Sequence, residues 1–137
     1  MMKKIIFLTI LISPYFIKAQ TKDEFKYKAT SIELVLMDGD KVLSRKPYGR
    51  DINITYDKFF KSYYITFYNE ESEFGYIKLF YIKELGDASG TVRMRTEQND
   101  IVNVVDMLKS KGGMVIMLEQ KVNNATGCYM IYNAVSD

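Results

Sequence analysis

The hydrophobic residues of this chain recur mostly at every second position, in short runs separated by turn-forming residues. Ile32, Leu34 and Leu36 alternate with Glu33 and Val35, the spacing of a strand with one buried face. Asp38-Gly39 follows directly, and Gly39 can take the positive φ of a tight hairpin turn. Val42 and Leu43 are then expected to start the return strand, and Lys46-Pro47 to stop it, with Tyr48-Gly49-Arg50 as a second turn. Ile52, Ile54 and Tyr56 alternate with Asn53 and Thr55, and residues 63–68 continue the pattern. There Tyr64, Thr66 and Tyr68 share one side, and Tyr63, Ile65 and Phe67 the other. After a polar loop over residues 69–73, residues 76–85 are nearly continuously apolar, which predicts a strand covered on both faces. Residues 86–90 form another turn, and Val92 and Met94 alternate with Arg93 and Arg95.

Residues 99–113 carry two conflicting signals. Ile101, Val104, Val105 and Leu108 fall at helical spacing, Asn99 or Asp100 can cap, and Gly112-Gly113 can terminate. Against this, Ile101, Val102, Val104 and Val105 are β-branched, which disfavours a helix. The agreement of end signals with spacing tips the expectation to a short helix. Residues 114–122 and 126–134 read as a final hairpin around Asn123-Asn124. The fold expected is mainly β: a single small antiparallel β-sandwich or partly closed barrel of roughly eight strands. One short helix is expected near residues 100–110.

The first residues follow a different pattern. Lys3 and Lys4 precede an apolar run over residues 5–12, Ser13-Pro14 breaks it, and Ile17-Lys18-Ala19 ends on a small residue. This is the layout of a signal peptide over residues 1–19, with cleavage expected after Ala19 and a single β-rich domain over residues 20–137. The stretch is too short for a membrane anchor, which needs roughly 20 apolar residues. The expected product is therefore exported, to the periplasm or beyond, with no transmembrane segment.

Charge and composition narrow the chemistry. Lys3, Lys4 and Lys18 belong to the leader, and without them 16 basic residues face 17 acidic ones. That balance gives no electrostatic footprint for nucleic acid. The one cysteine, Cys128, lies in an apolar run and is expected as a buried, inert thiol. The chain contains no histidine, which removes most hydrolase triads and imidazole-based zinc sites. Glu70, Glu71 and Glu73 cluster in a single loop, and Asp38-Gly39-Asp40 is explained by its turn, so neither indicates catalysis or a metal. Asn53-Ile54-Thr55 and Asn124-Ala125-Thr126 match a glycosylation pattern too common by chance to assign a modification. No catalytic residue, cofactor or metal is expected.

The unusual feature is aromatic density. Eleven of the 19 Phe and Tyr residues lie between Tyr56 and Tyr81, Phe59 and Phe60 among them. Core packing and cross-strand pairing account for most such clusters. With aromatics on both sides of residues 63–68, however, one side is expected to face outward or line a cavity. Tyr63, Tyr64, Phe67 and Tyr68 are the candidate binding residues for a protein partner or small ligand. The function expected is that of a non-enzymatic exported binding domain. A histidine-independent carboxylate enzyme and a structural envelope component are the alternatives.

In format the chain resembles small exported bacterial β-proteins of unassigned function. The resemblance rests on the leader ending Lys18-Ala19-Gln20, the strand over residues 32–36, and Tyr129-Met130-Ile131-Tyr132-Asn133. It implies a mainly β fold and no particular activity.

Overall fold

The structure, a computed structural model, describes residues 23–137. The leader expected over residues 1–19 lies outside the described residues. The elements are β1 (Glu24–Asp38), β2 (Lys41–Asp57), β3 (Ser62–Tyr68), β4 (Phe74–Glu84) and β5 (Val92–Thr96), then β6 (Ile101–Met107), α1 (Leu108–Lys111), β7 (Gly113–Leu118), β8 (Thr126–Tyr132) and β9 (Val135–Ser136). Each strand from β1 to β8 pairs antiparallel with the next, and β1 also pairs with β8. Eight strands thus close into an up-and-down barrel. β9 extends the seam by pairing with Tyr27 and Lys28 of β1, below the reach of β8.

Alternation along the strands fills the barrel. Ile32, Ile52, Ile54, Ile65, Leu79, Met94, Val102, Val104, Met114, Ile116 and Ile131 are buried inside it. An eight-stranded barrel is just wide enough for such side chains to meet at its centre. One end is plugged where α1 brings in buried Leu108. There the Tyr63 hydroxyl donates to Asp106 Oδ2 at 2.5 Å, while Asp106 Oδ1 accepts from the Leu108 N–H at 2.9 Å. Gly112 ends α1 with φ +67°, and a Cβ there would lie 2.8 Å from the Ala134 carbonyl oxygen. Cys128 is a buried free thiol whose pKa burial pushes up, so it packs rather than reacts.

Several expectations change. β2 is one strand of 17 residues running through Lys46-Pro47 and Tyr48-Gly49-Arg50, where a stop and a second turn were expected. The physical reason is its neighbours. β3 reaches only to Arg50, so at Pro47 the strand has β1 on one side and no strand on the other, and a missing N–H breaks no ladder. Gly49 serves close packing: a Cβ there would lie 2.6 Å from the Phe67 ring, and one at Gly75 of β4 would lie 2.7 Å from it. Phe67 therefore fills the space that two glycines leave. Residues 101–107 are strand, not helix, and the helix is the single turn α1. The β-branched run outweighs the helical spacing, while Gly112 does terminate the turn that remains. β4 is covered on its inner face only; Phe74, Tyr76 and Ile82 are exposed.

Other features agree. Gly39 takes φ +60° in the β1–β2 turn, and Asn123 and Asn124 take φ +50° and +65° in the β7–β8 turn. Beyond β3 the outer edge of β2 is unpaired and residues 41–47 are exposed, while β1 stays paired with β8 up to Met37.

Two outcomes are expected. Gly112→Ala should lower stability by about 1–3 kcal/mol in denaturant titration, since it combines a strained φ with a backbone clash. Phe67→Ala should cost about 3–5 kcal/mol, leaving a void over Gly49 and Gly75.

Candidate functional site: the aromatic face of β3 and β4

Strand alternation divides the four candidate residues. Tyr63 and Phe67 point into the barrel and are buried, whereas Tyr64 and Tyr68 point outward, each 41% exposed. The four residues do not share one surface. Across the β3–β4 ladder, Thr66 stands opposite Tyr76, and Tyr68 opposite Phe74. The outward rings consequently form two neighbouring pairs: Tyr64 and Tyr76 with centroids 5.9 Å apart, Tyr68 and Phe74 6.0 Å apart.

Cations are interleaved with these rings. Lys78 Nζ lies 5.5 Å from the Tyr64 centroid and 5.6 Å from that of Tyr76, and the Arg50 guanidinium lies 6.0 Å from Tyr68. These distances allow cation–π attraction that holds the lysine and arginine along the rings. Arg50 is fixed further by Asp51 at 3.0 Å and the Ser72 hydroxyl at 2.7 Å. The Tyr76 hydroxyl is raised in pKa by its hydrogen bond to Glu97. The face thus interleaves flat aromatic area with Lys78, with the Arg50–Asp51 ion pair and with Glu97 at the Tyr76 hydroxyl.

It borders a cleft at the end of the barrel opposite α1. β5 pairs with β4 only from Leu79 onward, so Tyr76 and Lys78 have no β5 partner, and a cleft of about 240 Å3 opens beside them. Ile77, Leu79, Val102, Ile116 and Leu118 give it an apolar floor, while Thr96, Gln98 and Asp100 make a polar rim. Its aromatic wall is Tyr48 against Tyr129, with centroids 4.9 Å apart. The Tyr129 hydroxyl is pushed up to about 12, by burial first and then by Tyr48 and Asp100. Tyr76 belongs to both cleft and face.

Sequence spacing missed Phe74, Tyr76 and Lys78 as outward residues, although they alternate with the inward Gly75 and Ile77. Reading residues 76–85 as doubly covered hid that signal. Among the described residues, no three His, Cys, Asp or Glu side chains converge on a metal-sized point. Glu70, Glu71 and Glu73 are exposed in the β3–β4 loop, where Asn69 Oδ1 accepts from the N–H groups of Glu71 and Glu73. No helix among the described residues is long and apolar enough to cross a membrane. The chain matches no protein-family model, no curated protein and no solved structure.

Two measurements check this geometry. Replacing Tyr64 and Tyr68 together by serine should cost no more than about 1–2 kcal/mol, the scale of cross-strand pairs at the surface. Tyr63→Ser should cost more and shift the melting temperature clearly. A stability profile against pH should also fall at high pH. Tyr129 has a folded pKa above the tyrosine value of about 10, so the fold prefers its neutral form. Its contribution is complete below about pH 10 and is lost as pH rises through about 12. Tyr129→Phe should flatten that alkaline decline.

Proposed function

We propose that this protein is a non-enzymatic binding module that is exported and holds a partner or small ligand against the outer face of β3 and β4. The observation that carries the reading is the pairing of Tyr64 with Tyr76 and Tyr68 with Phe74 outside a barrel already filled by aliphatic side chains. An eight-stranded barrel that keeps its centre packed has no room there for a ligand, so recognition falls to the surface and the end cleft. Tyrosine suits that task because its rigid ring supplies contact area at low entropic cost while the hydroxyl stays wet. Lys78 adds positive charge at the edges of the Tyr64 and Tyr76 rings, which favours a partner carrying both planar apolar groups and a carboxylate, while Arg50 is already paired with Asp51. Tyr76 links the face to the cleft, so one ligand can lie across the rings and place a small group beside Tyr48 and Tyr129.

The test compares the wild-type chain with a Tyr64→Ser, Tyr68→Ser, Tyr76→Ser variant as bait in extracts of the producing cell. Mass spectrometry should find at least one molecule retained by wild type and lost, ten-fold or more, by the folded variant. Equal retention by both proteins would sink the assignment. Intact-mass measurement should separately show a chain beginning at Gln20.

A further inference from the structure

The end of the barrel plugged by α1 carries a second constellation, remote from the aromatic face. A cleft of about 290 Å3 is lined there by Phe25, Tyr27, Tyr56, Asp106, Lys109 and Ser110. Its walls are aromatic, with Phe25 and Tyr56 stacked at 6.5 Å and Tyr56 against buried Tyr63 at 4.7 Å. Beside them stands a solvent-exposed carboxylate, Asp106, oriented by the Tyr63 hydroxyl and the Leu108 N–H. Among the described residues, no cation comes within ion-pairing distance of Asp106.

The field of that carboxylate reaches the surrounding phenols. Tyr27, Tyr56 and Tyr63 are all raised in pKa, by burial first and by Asp106 second. Glu84 and Asp57 add smaller contributions at Tyr56. Phe25, Tyr27 and Tyr56 thus line the same cleft as the Asp106 carboxylate. The chain itself shows what such a surface attracts: Lys109 Nζ stands 4.2 Å from the centroid of Phe25. An ammonium over an aromatic face is attracted by the ring's negative face, most when the cation is weakly hydrated.

We propose that this cleft binds the alkylammonium group of a small soluble ligand, with methylated nitrogens preferred over a bare ammonium. Methyl groups spread the charge and reduce hydration, so such a cation leaves water readily and packs against Phe25, Tyr27 and Tyr56. Asp106 supplies the opposite charge at the exposed rim. Lys109 competes for the Phe25 face and repels an incoming cation, which makes it a built-in tuning residue.

Choline chloride titrated into the intact chain, followed by amide chemical shifts, provides the test. Saturable shifts at Tyr56, Asp106 and Ser110 are expected, with a Kd in the millimolar range or tighter. The uncharged isostere 3,3-dimethylbutanol should bind at least ten-fold more weakly. Asp106→Asn keeps an acceptor for Tyr63 while removing the charge, and should weaken choline ten-fold or more in a chain whose spectrum shows it folded. Lys109→Met should tighten choline several-fold, an effect a purely structural Asp106 would not produce. Absence of saturable shifts, or equal binding of choline and its neutral isostere, would overturn the proposal. So would undiminished binding by a folded Asp106→Asn protein. None of these results bears on the β3–β4 face.

Discussion

Closure of the sheet on β1 is the constraint from which the rest of this structure follows. β1 accepts β2 along its whole length, β8 over residues 31–37, and β9 at Tyr27 and Lys28. Once the seam is bonded, every strand has a defined inside and outside, and a slip of one residue would turn Ile, Leu and Val to water. The circumference is then set at eight strands, which leaves an interior with room for side chains and little else. Aromatic residues in excess of what that interior accepts must stand outside or at its ends. Both clefts and the β3–β4 face occupy such positions.

The same constraint explains why neighbouring tyrosines do unrelated work. Tyr63 carries a hydrogen bond to Asp106 and closes the plugged end, while Tyr64, one residue on, sits tilted against Tyr76 on the exposed face. At the opposite end Tyr48 bridges core and surface, its ring 5.3 Å from Phe67 and 4.9 Å from Tyr129. The polar ends of the barrel are thus anchored by rings whose other faces belong to the core. Site geometry and core packing share side chains, so neither end can be reshaped without disturbing the interior.

Much of the fold is legible in the sequence wherever period-two spacing is clean and bounded by turn chemistry. Residues 63–68 divide into two faces as their alternation requires, and Gly39 and the Asn123-Asn124 pair mark their hairpins. Legibility fails where local signals and long-range pairing disagree. Pro47 and Gly49 look like punctuation, yet one sits on a half-free edge and the other makes room for Phe67, a contact 18 positions away that no local window contains. In residues 101–107, helical spacing and β-branching conflict, and pairing with β5 and β7 decides for the strand. For the candidate site, all four outward or inward assignments depend on which side of β3 faces the core. That choice is made by closure and is invisible to a single strand.

The open edge of β2 has a bearing on how one copy of this molecule could meet another. From Lys41 to Pro47 one margin of β2 offers free backbone amides and carbonyls, the ordinary starting point for fibril growth. A second copy adding antiparallel along residues 41–46 would set Lys41 against Lys46 and leave Arg45 between them, while Pro47 withholds a donor just beyond. Like charges facing one another across a ladder oppose the pairing. The basic residues and proline along this edge oppose such an addition without covering the strand.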